Sequence, residues 1–145
     1  MLIKRGFSVD YTIVGEIIDT KYRKTITNCS FINYFPRCSK EEVVKYLRHS
    51  EIFIMPSIRE TFGLVYAEAM SQGLPIIYSK GQGFDGQFEN GKVGYSVNCY
   101  DYNDIADKIV ELHDNYQLFS KRCVSLVEKF NWIPIASAYK KLYQW

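Results

Sequence analysis

The chain lacks several features that would assign its class at once. Its four cysteines, Cys29, Cys38, Cys99 and Cys123, are scattered. Without a C-x-x-C pair the usual zinc and dithiol frameworks are excluded, which points to reduced thiols in a cytosolic protein. No apolar run approaches the ~20 residues a membrane helix needs. Residues 1–10 show no apolar stretch leading to a small-residue cleavage site, so they do not read as a secretory signal. Charge of one sign is also in short supply. Eighteen Lys and Arg face 16 Asp and Glu, a net charge of +2, which is too even for a domain that tracks nucleic-acid phosphates. Only two histidines occur. Neither His49 nor His113 has a partner at metal-ligand or catalytic spacing, so both read as companions of helix C-termini. No acidic cluster suggests a metal site.

Apolar and aromatic residues, by contrast, are plentiful. The 145 residues are 47% hydrophobic and include 12 Tyr, 9 Phe and 2 Trp, a composition that excludes disorder and can build a core for one domain. Strands are expected at 9–14, 29–35, 51–55, 75–78 and 93–97, each rich in β-branched or aromatic residues and bounded by Gly or Pro. Ser39 followed by Glu42 forms a capping box opening an amphipathic helix through Val43, Val44 and Leu47. Further helices are expected at 64–72, closed by Gly73, and at 101–112, 118–129 and 134–143. Strands alternating with helices, several of them apolar throughout, predict an α/β fold: a Rossmann-like parallel sheet with helices on both faces. The aromatic tail (Trp132, Tyr139, Tyr143, Trp145) is expected in the core or at a domain interface. Lys4, Arg5 and Gly6 read as the end of a helix, which suggests that sequence is missing upstream.

One stretch carries chemistry: Pro56-Ser57-Ile58-Arg59-Glu60-Thr61-Phe62-Gly63-Leu64-Val65-Tyr66-Ala67-Glu68-Ala69-Met70. A buried strand ends at Met55, a loop carries Glu60, and a helix starts near Gly63. Ligands in open α/β sheets bind beyond the carboxyl ends of strands. A helix N-terminus there offers unpaired N–H groups and a favourable dipole to an anion. Glu68 lies a turn into an otherwise apolar helix, where its carboxylate must reach solvent or find donors.

Glu60 and Glu68, separated by seven residues in the run E-T-F-G-L-V-Y-A-E-A-M, resemble the E-x7-E signature of the retaining glycosyltransferases of family 4. The similarity extends to Tyr11-Thr12-Ile13-Val14-Gly15, Phe31-Ile32-Asn33-Tyr34-Phe35 and Glu51-Ile52-Phe53-Ile54-Met55-Pro56-Ser57 before the signature. It continues in Ala69-Met70-Ser71-Gln72-Gly73-Leu74-Pro75-Ile76-Ile77, in Asn90-Gly91-Lys92-Val93-Gly94-Tyr95, and in Phe130-Asn131-Trp132. The resemblance implies the C-terminal half of a GT-B architecture, the donor-binding side of a two-domain cleft. It implies transfer of a hexose from a nucleotide-diphosphate sugar to an acceptor hydroxyl, with no cofactor and no bound metal.

By the same resemblance, Glu60 is the catalytic-site carboxylate beside the transferred sugar. Glu68 accepts hydrogen bonds from the ribose. The amides of Thr61, Phe62, Gly63 and Leu64 face sugar and diphosphate, although the family usually has Gly where Thr61 stands. Gly15, Tyr34 and Phe35 line the phosphate and base ends, and Gly83 approaches the sugar. The family's diphosphate-gripping Arg and Lys would precede Met1. A separate N-terminal domain would bind the acceptor, a glycan or lipid-linked saccharide, placing the protein in the cytoplasm or at the inner face of the membrane. Two other readings compete: a non-catalytic module that binds a nucleotide or a partner chain, and an NAD-binding domain. The second draws on Gly81-Gln82-Gly83-Phe84-Asp85-Gly86, a G-x-G-x-x-G run with Asp101 twenty residues beyond Gly81. Only six residues separate Gly86 from the strand expected at Val93, too few for the crossover of about 10–12 residues that includes a phosphate-binding helix.

Overall fold

In the computed structural model, which describes residues 1–143, the chain divides into two compact units, residues 1–50 and residues 51 onward. In the first unit, a short 3-10 turn at Ile3–Arg5 ends at Gly6 in the left-handed conformation, whose N–H bonds to the Ile3 carbonyl. Strand β1 (Tyr11–Val14) pairs in parallel with β2 (Ile32–Phe35), with Tyr11 opposite Ile32 and Val14 opposite Phe35.

Helix α1 (Thr20–Thr27) joins these strands and is absent from the sequence-based expectation. Its residues T-K-Y-R-K-T-I-T give almost no apolar stripe, and all but Ile26 are exposed. The segment is fixed instead by Asp19, whose carboxylate accepts from the Lys21 N–H at 2.7 Å, and by the need for a crossover between parallel strands. Helix α2 (Lys40–Arg48) begins with both halves of the expected capping box. The Ser39 N–H donates to Glu42 at 2.8 Å, and the Glu42 N–H donates to the Ser39 hydroxyl at 3.3 Å. These contacts hold the Glu42 carboxyl below its ordinary range. Leu47 is buried, and Tyr46 stacks on Phe35 at 4.5 Å.

The second unit is built on a parallel sheet of order β3-β4-β5, comprising Phe53–Met55, Ile76–Ser79 and Gly94–Val97. The central strand β4 is buried along its whole length, as expected of a strand covered on both faces. Ile77, Tyr95, Val97, Leu112 and Phe119 form a core, with Ile52, Ile54, Ile105 and Ile109 packed against it. Helix α3 (Leu64–Ser71) links β3 to β4 and buries Tyr66, Ala69 and Met70. Helices α4 (Tyr102–Asp114) and α5 (Tyr116–Leu126) follow β5, α4 being capped by the Asp101 carboxylate.

The expected helix at 118–129 is thus displaced: it starts two residues earlier and closes as a 3-10 turn at Val127–Phe130. Helix α6 (Trp132–Tyr143) contains Pro134 in its first turn, where the missing N–H costs nothing, and Asn131 accepts from the Ile133 N–H at 3.0 Å. The tail aromatics do not enter this chain's core. Trp132, Tyr139 and Tyr143 are 68%, 57% and 73% exposed, and Trp145 lies outside the described residues.

Candidate functional site

The site is assembled where β3 ends. The ladder between β3 and β4 stops at Met55 opposite Tyr78, and Pro56 can donate no further rung. Side chains continue the tethering. The Tyr66 hydroxyl donates to the Met55 carbonyl at 2.5 Å, and the buried Ser79 hydroxyl donates to the Ser57 carbonyl at 2.6 Å. From this anchor the chain runs through the loop carrying Glu60 to Gly63, the residue that opens α3.

Gly63 has φ 75° and ψ 62°, a left-handed conformation that side chains disfavour. A Cβ there would stand 2.4 Å from the Tyr66 ring and 3.3 Å from Glu60 Cγ. The glycine therefore lets the loop turn sharply into α3 while lying flat on Tyr66. The first N–H groups of the helix have no acceptor within it, which leaves a donor-rich end beside Glu60.

Glu60 is half-buried. Its carboxylate Oε1 accepts from the Thr61 N–H at 2.9 Å. Its own N–H donates to the side-chain oxygen of Gln82 at 2.8 Å, and its carbonyl accepts from the Gly83 N–H at 3.1 Å. Tyr66 beneath is pushed up to about 12, first by burial and then by the negative charge of Glu60. Glu68 lies one helical turn beyond Leu64, on the same side of α3, and its carbonyl accepts from the Ser71 hydroxyl at 2.7 Å.

An aromatic cluster supports this end of the unit. Phe84 is buried among Tyr66 at 4.7 Å, Tyr78 at 5.3 Å, Phe130 at 5.9 Å and Phe88 at 6.2 Å. Phe62 closes on Phe130 at 5.8 Å, and Lys129 lies over Phe88 and donates to the Gln87 carbonyl.

Glu60, Thr61, Phe62, Gly63, Leu64, Glu68 and Gly83 thus fall around one strand end of the second unit. Gly15, Tyr34 and Phe35 belong to the first. There the Gly15 N–H donates to the Phe35 carbonyl at 3.1 Å, so these three also sit at the carboxyl end of a parallel sheet. Gly83 also lies against the chain's own backbone: a Cβ at this position would fall 1.8 Å from the Thr61 carbonyl oxygen. Sequence reasoning missed Gln82 and Phe84. Their position just after the buried strand beside β3 was the available signal, since loops leaving the same end of neighbouring parallel strands must meet. The connection from β4 to β5 contains turns and no helix, so the glycine run offers no helix N-terminus to a dinucleotide. Among the described residues no group of three or more His, Cys, Asp or Glu is arranged to hold a metal ion. None of their helices is long and apolar enough to cross a membrane.

Comparison with known proteins gives the family and the fold. A family described as "Glycosyl transferases group 1" matches residues 8–129. The chain is 34% identical over 107 residues to a D-inositol 3-phosphate glycosyltransferase of Corynebacterium jeikeium (strain K411), covering 72% of this chain and 26% of that protein. It therefore spans about a quarter of the length of this curated relative. Its fold matches the crystal structure of TarM with a TM-score of 0.81 at 24% identity, over 99% of this chain and 30% of that one. It also matches Anabaena Alr3699/HepE in complex with UDP, with a TM-score of 0.77 at 16% identity, over 92% of this chain and 40% of that one. The fold is accordingly Rossmann-like, with parallel sheets and helices on both sides, as in part of these GT-B neighbours.

Proposed function

Since the chain belongs to the group 1 glycosyl transferases, we propose that it is the donor-binding part of a retaining enzyme, one that passes a hexose from a nucleotide-diphosphate sugar to an acceptor hydroxyl. The observation that carries this reading is the end of β3, where the Glu60 loop and the glycine-initiated N-terminus of α3 converge over a rigid aromatic base. In this role Glu68 accepts from the ribose hydroxyls and Glu60 orients the sugar. The leading amides of α3, with those of Thr61, Phe62 and Gly63, stabilise the diphosphate as it leaves. The Thr61 amide is held by the Glu60 carboxylate in the structure, so a bound donor exchanges with that contact. The UDP bound by the Anabaena neighbour supports a uridine nucleotide as the first probe. Four free cysteines fit a cytoplasmic setting, and the acceptor, a glycan or lipid-linked saccharide, belongs to a domain outside these residues.

A helix N-terminus stabilises negative charge by about 0.3–2 kcal/mol, against the ~8–23 kcal/mol that enzymes supply. The 145-residue chain is therefore expected to bind UDP with modest affinity and to turn over no nucleotide sugar; enzyme-like rates from it would overturn the assignment of the remaining groups to another part. Replacing Glu68 with Ala should weaken UDP binding about ten- to a hundred-fold, as expected for losing hydrogen bonds to a charged group. Calorimetric titration showing equal affinity for wild type and Glu68→Ala would remove Glu68 from the site.

A further inference from the structure

The loop that follows β4 is built to hold something in place. Phe84 anchors it in the core. The Asp85 carboxylate accepts from the Gly81 N–H at 2.7 Å, and the Asp85 N–H donates back to the Gln82 carbonyl at 2.8 Å, so the segment is closed on itself. What it presents to its neighbour is one acceptor and one donor, the Gln82 side-chain oxygen and the Gly83 N–H. Both engage the same residue, Glu60: one takes its N–H at 2.8 Å, the other its carbonyl at 3.1 Å. The pair fixes the two peptide groups on either side of the Glu60 Cα and leaves that residue only its side-chain torsions. Glycine is required at position 83 because a Cβ would collide with the Thr61 carbonyl. A neutral amide at position 82 also suits the place, because it accepts the Glu60 N–H without setting a second negative charge beside the Glu60 carboxylate.

We propose that Gln82 and Gly83 form a two-point clamp that positions Glu60 toward the transferred sugar, Gln82 acting as a positioning residue that sets preference for donor over bare nucleotide. The inference rests on the donor-binding reading above. It places a sequence-specific contact, Gln82 to the Glu60 amide, in a loop that otherwise reads as a plain glycine-rich turn. Gly83 also lies against the Thr61–Phe62 peptide, but the Gln82 side chain bonds only to the Glu60 N–H, so loss of the Gln82 acceptor acts first on the sugar end.

The test uses Gln82→Met, which keeps the side chain's length and bulk but removes the acceptor, and Gln82→Glu, which retains an acceptor oxygen. Amide exchange with water, measured by NMR on the 145-residue chain, should be about five- to ten-fold faster at Glu60 in Gln82→Met, as expected for losing one hydrogen bond. It should be slower in Gln82→Glu, which keeps an acceptor beside an added charge, than in Gln82→Met, and unchanged at Ile77 in both. Titrations with UDP and with UDP-glucose should show Gln82→Met binding UDP as wild type does and UDP-glucose about five-fold more weakly. An unaltered Glu60 amide in Gln82→Met refutes the clamp and leaves donor binding standing. Equal losses for UDP and UDP-glucose refute the positioning role and make Gln82 a merely structural residue. A wild-type chain that responds to neither probe refutes the donor-binding reading itself, while the exchange rates still decide whether Gln82 holds Glu60.

Discussion

Replacing Gly63 with Ala tests whether the start of α3 is set by its seat on Tyr66. Two costs add. The left-handed conformation at φ 75° penalises an L-residue by about 1–2 kcal/mol. The new methyl would also stand 2.4 Å from a Tyr66 ring carbon. That ring cannot swing away, because Tyr66 is almost wholly buried, packed on Phe84 and tied to the Met55 carbonyl. Overpacking of this kind costs about 1–3 kcal/mol, so the total is about 2–5 kcal/mol. At roughly 4 °C per kcal/mol for a chain of this size, thermal unfolding followed by circular dichroism should move down by about 8–20 °C. Gly86→Ala is the matched control. Its φ is 83°, but a Cβ there meets nothing within 4 Å, so only the conformational cost of about 1–2 kcal/mol applies and the shift should be about half as large or less. Equal shifts for the two variants would refute the reasoning, since backbone conformation alone would then explain both.

Alkaline titration offers a second check. Tyr66, Tyr78 and Tyr95 are each pushed up to about 12, chiefly by burial, and Cys123 to about 12 for the same reason. With folded values above unfolded ones, their contribution to stability is complete below about pH 9 and is lost as pH rises toward 12; a urea midpoint unchanged between pH 8 and pH 11.5 would contradict this. In the native state at pH 8, a thiol reagent should modify Cys29, Cys38 and Cys99 and spare buried Cys123, and rapid labelling of Cys123 would show that the core around it is open. Ser39→Ala removes half of the capping box on α2 and should cost about 1 kcal/mol, read as a lower urea midpoint; an unchanged midpoint would mean that Glu42 alone suffices.

The strands and the E-x7-E run were legible because their signals are local: β-branched runs, Gly and Pro boundaries, and a fixed spacing between two carboxylates. The capping box at Ser39 and Glu42 was legible for the same reason. Helix α1 was not, because a surface crossover with one partly buried residue, Ile26, has no periodic apolar face to read. Whether the aromatic tail enters the core was not legible, because helical spacing of Trp132, Tyr139 and Tyr143 indicates a shared face but not what covers it. Gly83 shows the limit most clearly. Its place in a glycine-rich run was legible, but only the meeting of two loops from neighbouring strands shows that a Cβ there would meet the Thr61 backbone. Gln82 escaped notice because a polar residue between glycines looks like solvent-facing loop until that partner is in view.

The hydroxyls of Tyr66 and Ser79, reaching the carbonyls of Met55 and Ser57 just past the last rung of the sheet, have a thermodynamic consequence. Ordering a free five-residue loop at the moment of binding would cost about 5–10 kcal/mol of backbone entropy, enough to erase a modest affinity. Here residues 59–63 are restrained at one end by these hydroxyls and at the other by Gly63 against Tyr66. Their backbone freedom is surrendered when the unit folds, so under the proposed function a donor has only local contacts such as that of Glu60 with the Thr61 N–H left to exchange. A small contact set can then bind measurably, because almost none of its free energy is consumed in arranging the protein.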